Sequence, residues 1–249
     1  MKGISVEKAE VTPRGFRHDR AWMLVNNDGR FVSQREIPAL AMIDVRLNED
    51  DIQVNFKGET ISIGLTTRSE KSITTTVWKD QFTSMEVNEH VSDWFSQMLD
   101  SNLKLVTYSD NNFRIKKPST LNEEIEVSYA DGYPYLIIGE ASLEDLNYRI
   151  GSPIDINRFR PNIVIHTGTA FEEDSWGKVS IGSSNLQVVK PCARCVMTTI
   201  NQETTERGKE PLYTLSKYRQ VGKDILFGVN AILRNGNVIR VGDSVQLIK

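Results

Sequence analysis

The residues best suited to chemistry are the chain's two cysteines, Cys192 and Cys195, which form a Cys-x-x-Cys segment. Lys190 and Arg194 lie beside them, and a positive charge close to a sulfur favours the thiolate form. A thiolate can act as a nucleophile, as part of a redox pair or as a ligand for a soft metal ion. The segment is therefore the first candidate for a reactive or metal-binding site.

Three other interpretations of the cysteine pair stay open. A structural zinc site needs four ligands, and beyond the cysteines the chain offers three scattered histidines, His18, His90 and His166. A thioredoxin-type redox pair opens a helix, whereas residues 196–200 look β-like. The two cysteines can also be small side chains packed in a core, a common environment for free thiols.

A second candidate group is basic. Arg14, Arg17 and Arg20 lie in one short segment, and Arg158 and Arg160 lie in another. Each arginine alone is typical of a solvated surface. A planar guanidinium pairs well with phosphate or carboxylate, so arginines that converge near a cysteine indicate a small anionic ligand. Asp131, next to a glycine, is on local grounds a turn former.

Composition limits the classes of protein. The chain has 249 residues, of which 39% are hydrophobic and 25% charged, and its formal charge is −3. It lacks the basic excess of a general nucleic-acid-binding protein. It has no run of about 18 apolar residues and no signal-peptide core. We therefore expect a globular protein with no nucleic-acid polymer as partner, no membrane segment and a cytoplasmic location.

The elements that must position these residues are short. In the first part of the chain, strand-like runs alternate with turn signals, which favours a barrel or a sandwich. A helix is predicted over residues 88–99, with Asn88 capping its start. The predicted strands include residues 30–34, 52–56, 60–65 and 73–78.

The boundary between two domains is predicted in residues 109–124, a polar stretch that contains Asn111 and Asn112. It divides the chain into residues 1–108 and 109–249.

The second part is predicted to contain both strands and helices. One helix is expected over residues 139–150, with Ser142 and Asp145 as a capping pair. Another is expected over 212–221, and an Asn-Gly turn predicts a hairpin over 227–241. The fold class is therefore mainly β with a few helices (α+β), beginning with a barrel-like subdomain.

Several separate segments resemble the MOSC family, whose domains are related to the C-terminal part of molybdenum cofactor sulfurase. The resemblance is to the branch with an N-terminal β-barrel, and it covers nearly the whole chain. It implies an N-terminal β-barrel-like subdomain followed by a C-terminal MOSC β-barrel. The matching segments are EVTPRGFRHDRAW (10–22), YADGYPYLIIGEASLEDL (129–146), NRFRPNIVI (157–165), EDSW (173–176), PCARCVMTT (191–199), KEPLYTLSKYR (209–219) and VGDSV (241–245).

The resemblance implies roles for individual residues around a molybdenum cofactor (Mo-molybdopterin). Cys195 corresponds to the cysteine that ligates molybdenum, and Asp131 lies beside the metal as the second catalytic residue. Cys192 has no clear ligand role in the family pattern. The residues implied to hold the phosphate and the pterin of the cofactor are Arg20, Arg160, Asn162 and Arg194.

The activity implied by the resemblance is the reduction of small N-hydroxylated compounds such as N-hydroxylamines, amidoximes and hydroxylaminopurines to amines. The C-terminal iron–sulfur domain of some bacterial relatives is not part of this sequence. We therefore expect the electrons to come from a separate flavin, iron–sulfur or haem protein. The alternatives are a carrier of molybdenum cofactor or sulfur without substrate turnover, and a thiol redox protein that uses both cysteines.

Two departures from the family pattern carry expectations of their own. Relatives carry a Lys-Ser pair that helps to bind the cofactor just before the position of Met1, which predicts either a missing segment or weaker cofactor binding. Gly132 and Tyr133 stand where relatives often have small hydroxyl residues, which predicts a different shape of the substrate pocket.

Overall fold

The computed structural model describes residues 1–109 and 113–248. Within these ranges the chain forms nineteen β-strands and three α-helices, so the predicted mainly β class with a few helices is confirmed. Asn111 and Asn112, which belong to the predicted boundary stretch, lie outside the described residues. No α-helix in the described ranges combines the length and the apolar character that crossing a membrane requires.

Two sheets in the first part of the chain enclose one apolar core. The strands and the helix of this part are β1 (Lys8–Thr12), β2 (Gly15–Phe16), β3 (Trp22–Val25), β4 (Asp44–Leu47), β5 (Asp51–Phe56), β6 (Glu59–Gly64), β7 (Ser72–Val77), β8 (Asp80–Glu86), α1 (Glu89–Leu99) and β9 (Lys104–Tyr108). The first sheet has the order β3-β9-β8-β7, and the second has the order β4-β5-β6. In β5 every second residue is buried, as expected when one face of a strand covers a core. Residues of both sheets and of α1 meet in this core.

The predicted cap of α1 is confirmed. The side chain of Asn88 accepts a hydrogen bond from the backbone N–H of Val91 at 2.8 Å. The helix ends at Asp100, which adopts a left-handed conformation with φ of 49°. Both ends are therefore set by local residues.

The second part of the chain is organised around a seven-stranded sheet. Its elements, in chain order, are β10 (Arg114–Lys116), β11 (Ile125–Val127), β12 (Tyr135–Gly139), α2 (Glu140–Ile150), β13 (Ile163–Ile165), β14 (Lys178–Ile181), β15 (Ser184–Ala193), α3 (Leu212–Leu215), β16 (Gln220–Val221), β17 (Asp224–Asn235), β18 (Val238–Arg240) and β19 (Val245–Ile248). The order of strands in the large sheet is β13-β12-β17-β15-β14-β19, with β16 attached to β17. Strands β10 and β11 pair with each other in a separate two-stranded sheet. The long strands β15 and β17 form the centre of the large sheet; Cys192 lies in β15, and Cys195 follows two residues after its end.

The two parts share elements. Strand β1 pairs with β18, with Lys8 opposite Arg240, and Val11 lies in the core of the second part. Tyr129 in turn packs against the core of the four-stranded sheet. The division into residues 1–108 and 109–249 stays a prediction.

Three predicted elements of the second part are wrong. Residues 196–199 form a 3-10 helix rather than a strand, because the hydroxyl groups of Thr198 and Thr199 bond back to backbone carbonyls and close a tight turn. The helix predicted over 212–221 stops at Leu215, since the backbone of Arg219 pairs with Leu226 across β16 and β17. The Asn-Gly turn reverses the chain, but β18 then pairs with β1 instead of β17.

Two further local predictions are corrected. Residues 30–34 form isolated bridges rather than a strand. Ser142 is not a capping residue, because its hydroxyl is buried and donates to the carboxylate of Glu173. In both cases a contact with a distant segment replaces the local pattern.

Candidate functional site

Cys195 lies at the point where β15 ends and the short helix 196–199 begins. Its thiol is exposed. The sulfur accepts a hydrogen bond from Nη2 of Arg35 at 3.0 Å. A residue of the first part of the chain therefore contacts the candidate metal ligand of the second part.

The loop that carries Arg35 is fixed on both sides of this residue. The buried amide of Gln34 exchanges two hydrogen bonds with the amide of Gln202, at 3.1 and 3.0 Å. The guanidinium of Arg207 donates to the carbonyl of Arg35. These contacts join the loop to the segment that follows the cysteines, so the position of Arg35 is determined by the second part of the chain.

Asp131 lies in an exposed turn between β11 and β12. Its Oδ1 accepts a hydrogen bond from Nε1 of Trp78 at 3.1 Å. Its backbone carbonyl accepts bonds from Nη2 of Arg114 at 3.0 Å and from Nζ of Lys116 at 3.2 Å. Both the side chain and the backbone of Asp131 are thus held in place.

Arg114 is the buried cation behind this turn, with 1% of its side chain exposed. It donates to the carbonyls of Ala130 and Asp131, and its Nε lies 2.6 Å from Oδ2 of Asp80. Burial by itself would raise the pKa of Asp80, but its hydrogen bonds and charge interactions with Arg114 and Lys116 prevail and lower it. Arg114 therefore fixes the Asp131 turn while Asp80 neutralises its charge.

Three of the predicted cofactor-binding residues meet at Asp19. Its Oδ2 accepts hydrogen bonds from Arg20 and from Nδ2 of Asn162, the latter at 2.8 Å. Arg20 also donates to the carbonyl of Arg160 at 3.0 Å, and Arg160 donates to the carbonyl of Met1 at 2.9 Å. The structure therefore brings Arg20, Arg160 and Asn162 together.

This cluster holds like charges close to each other. Burial, and next the neighbouring charge of Arg20, lower the pKa of Arg160 to about 10. The carboxylate of Asp131 lies near enough to act in the opposite direction. Arg20 and Arg160 both have positive φ, 50° and 55°, a conformation that is rare for residues other than glycine. The backbone is therefore held in an unfavourable conformation at both arginines, whose guanidinium groups lie close enough to repel each other.

Arg194 joins this region from the cysteine segment. Its Nη2 donates to the carbonyl of Phe159 at 2.6 Å, next to Arg160 in the chain, and its Nη1 lies 3.1 Å from Sγ of Cys192. Its Nε is buried without a hydrogen-bond partner in the described structure. Such an orphaned donor in a cationic region suits an anionic or carbonyl-bearing ligand.

The two cysteines have different surroundings. Cys192 is partly buried, packs against the core that contains Phe159 and contacts Arg194. Cys195 is exposed and contacts Arg35. The described residues contain no group of three or more His, Cys, Asp or Glu side chains that could hold a metal ion.

Sequence reasoning missed Arg35, Trp78 and Arg114. Arg35 and Trp78 have no local signal for a role in the site, because their partners lie 160 and 53 residues away. Trp78 closes a predicted strand, yet it has positive φ of 58° and is 49% exposed. Arg114 lies in the polar stretch 109–124, where the sequence predicts a domain boundary.

Both parts of the chain match known domain families. The model of the MOSC N-terminal beta barrel domain matches residues 1–102, and the model of the MOSC domain matches residues 124–246. Mitochondrial amidoxime-reducing component 1 of Homo sapiens is 32% identical over 269 residues, which cover 99% of this chain and 79% of that protein. Mitochondrial amidoxime reducing component 2 of Bos taurus is also 32% identical, over 98% of this chain and 78% of that protein.

A molybdenum cofactor sulfurase of Oryza sativa subsp. japonica is 28% identical over 92% of this chain, and the match covers 30% of that longer protein. The matched residues 1–102 and 124–246 include every site residue predicted from the sequence. These matches confirm the resemblance seen in the sequence motifs: the chain belongs to the MOSC family, in the branch that carries the N-terminal β-barrel domain.

Proposed function

We propose that this protein is a molybdenum-cofactor-dependent oxidoreductase that reduces small N-hydroxylated compounds to the corresponding amines or amidines. The observation that carries the proposal is an exposed thiol, Cys195, next in the chain to Arg194, which donates to the carbonyl of Phe159 beside the crowded arginine cluster around Arg160. Two of the relatives are named amidoxime-reducing components, which supports this reaction class.

The residues fit such a cofactor in two respects. A terminal phosphate would relieve the repulsion between Arg20 and Arg160, and an acceptor group would satisfy the buried Nε of Arg194. Asn162 adds a neutral donor beside them. Cys195 offers one protein thiolate, which is what a metal needs when the pterin supplies the remaining sulfur ligands.

The reaction requires two electrons and two protons. The N–O bond breaks, one proton adds to the nitrogen in place of the hydroxyl group, and the other goes to the oxygen, which leaves as water. The cofactor, when bound, supplies the two-electron oxygen-accepting chemistry. Cys195 anchors it, and the exposed Asp131 orients the substrate or carries a proton, since Trp78 fixes one of its carboxylate oxygens.

The electrons come from a separate donor protein that carries a flavin, an iron–sulfur cluster or a haem. The substrate is a small N-hydroxylated molecule, which the names of the amidoxime-reducing relatives support. We also propose that the chain divides into residues 1–108 and 109–249, which the separate family matches over 1–102 and 124–246 support.

The test begins with the metal. The full chain is produced in a host that makes the cofactor, and molybdenum is quantified in wild type, Cys195→Ala and Cys192→Ser. We expect near-stoichiometric metal in wild type and Cys192→Ser, and at least about tenfold less in Cys195→Ala, because one strong ligand is lost.

Reduction of an amidoxime is then measured with an artificial electron donor. Turnover in wild type and its loss in Cys195→Ala are expected. Stoichiometric cofactor without turnover of any N-hydroxylated compound would favour the carrier alternative. Full molybdenum content and full activity in Cys195→Ala would refute the proposed site.

A further inference from the structure

Two residues of the first part of the chain connect Cys195 with Asp131. The guanidinium carbon of Arg35 lies 4.7 Å from the centre of the Trp78 ring, and its Nη2 lies 3.0 Å from the Cys195 sulfur. The indole N–H of Trp78 donates to Asp131 at 3.1 Å. These contacts form a continuous bridge, defined here as Cys195, Arg35, Trp78 and Asp131.

Trp78 is held in an unusual way for a surface residue. It occupies the turn between β7 and β8 with φ of 58°, and 49% of its surface is exposed. A bulky residue at positive φ is a true outlier that persists where its surroundings fix it. Here two side chains hold the Trp78 ring. The Phe31 ring packs against it in an edge-to-face arrangement with 5.0 Å between the ring centres, and the guanidinium of Arg35 lies over it.

Arg35 is equally constrained. Its backbone is bound by Arg207, and its neighbour Gln34 is clamped to Gln202. Its side chain is half-buried, with the ring of Trp78 on one face and the sulfur at its edge. A guanidinium with this geometry offers a fixed N–H and a fixed positive charge to the sulfur.

We propose that Arg35 is a positioning residue that orients the Cys195 sulfur and places a fixed positive charge beside it, and that Trp78 holds Arg35 and Asp131 in fixed relation. The β-barrel part of the chain thus completes the site of the MOSC part. Any effect of Arg35 on a metal bound at Cys195 rests on the proposed function. The contact of Arg35 with the sulfur does not depend on that function.

The test compares two alkylating reagents on the same thiol. The full chain, produced in a host that cannot make the cofactor, carries Cys192→Ser so that only Cys195 reacts. The thiolate attacks the iodomethyl carbon of anionic iodoacetate or of neutral iodoacetamide and displaces iodide in both cases, so the ratio of the two rates cancels the protonation of the thiol. The ratio instead reports the charge beside the sulfur.

In Arg35→Met we expect the iodoacetate-to-iodoacetamide ratio to fall about three- to fivefold, the effect of one unit charge some 4 Å away in water. Arg35→Lys should restore most of the ratio because it keeps the charge. Arg46→Met is the matched control, since Arg46 is an exposed arginine on β4 in the same part of the chain. It should leave the ratio unchanged.

Trp78 is tested in the same assay. Trp78→Phe keeps an aromatic ring under Arg35 and should preserve the rate ratio. Trp78→Ala should lower the rate ratio and should unfold at the same temperature as the wild-type protein. A wild-type ratio in Arg35→Met, or an equal fall in Arg46→Met, would overturn the proposal. A protein that binds no molybdenum would refute the proposed function but not this result, because the assay uses cofactor-free chain.

Discussion

Replacing Asp80 with asparagine tests whether a buried ion pair stabilises the turn that carries Asp131. Arg114 is 1% exposed and Asp80 is 32% exposed, and the two side chains are 2.6 Å apart at their closest atoms. The Asp80→Asn substitution would keep the shape and one acceptor but remove the charge. The guanidinium would then stay buried with carbonyl partners alone.

The size of the effect follows from the geometry. Two unit charges about 4 Å apart attract by about 4 kcal/mol at an effective dielectric constant of about 20. Solvent at the partly exposed Asp80 reduces this, so we expect Asp80→Asn to lower the free energy of unfolding by about 2 kcal/mol at pH 7. Asp145→Asn is the matched control, because the Arg149–Asp145 pair has similar contact geometry, 2.7 Å, but its guanidinium is 46% exposed. It should cost about 0.5 kcal/mol or less.

The pH dependence gives an independent check. The pKa of Asp80 is lowered in the folded protein. Its contribution is therefore fully present above the ordinary carboxyl pKa, near pH 4, and is lost as the pH falls through the lowered value. Urea unfolding of wild type and both variants over this range measures it. Equal costs for Asp80→Asn and Asp145→Asn, or an undiminished difference below about pH 3, would refute the reasoning.

Other predictions concern packing and charge. Gly228→Ala should lower the free energy of unfolding, measured in urea, by about 2–4 kcal/mol, because Gly228 has φ of 73° and an added Cβ would lie 2.7 Å from a neighbouring side-chain atom. Gly177→Ala is the control: its added Cβ meets nothing within 4 Å, so it should leave the free energy of unfolding unchanged. Ser142→Ala should cost about 2 kcal/mol by the same measurement, since its hydroxyl bonds the buried carboxylate of Glu173 at 2.8 and 2.9 Å. Arg160→Met removes a buried charge beside Arg20, so the melting temperature of the cofactor-free protein should stay unchanged or rise. The same substitution should reduce the molybdenum content of protein made with the cofactor at least about tenfold. An unreduced molybdenum content would contradict the proposed role of Arg160.

Elements whose determinants are local could be predicted from the sequence. The start of α1 depends on Asn88 and on the N–H of Val91, three residues later. Strands β5 and β6 flank the turn at Lys57 and Gly58, and their first pair, Phe56 and Glu59, follows from that turn. In both cases every interacting group lies within a few residues.

Pairing between distant strands could not be predicted in this way. The Asn-Gly turn before β18 gives a correct chain reversal, but the partner of β18 is β1, with Lys8 opposite Arg240. The polar stretch 109–124 shows the same limit. Its polar composition predicts a domain boundary, whereas Arg114 within it is buried because Asp80 and three backbone carbonyls surround it.

The site shows which residues can be predicted from residue type. Cys195 and the arginines stand out because thiols and guanidinium groups have distinctive chemistry and occur in matched motifs. Their assignment as ligands stays a prediction. Arg35 and Trp78 do not stand out, since each acts through a contact between the two parts of the chain. Only the fold places them beside Cys195 and Asp131.

The charges of the cluster also define what kind of ligand suits it. Arg20, Arg160 and Arg194 bring three guanidinium groups to one region, and Asp19 provides a carboxylate within it. The arginines therefore exceed this internal carboxylate by two positive charges. A phosphate monoester carries between about −1.5 and −2 at neutral pH, so one such group would nearly neutralise the excess. A long polyanion would instead need a basic surface beyond the cluster, which the net charge of −3 does not favour. The balance therefore supports the proposed assignment of one small phosphate-bearing ligand to this cluster.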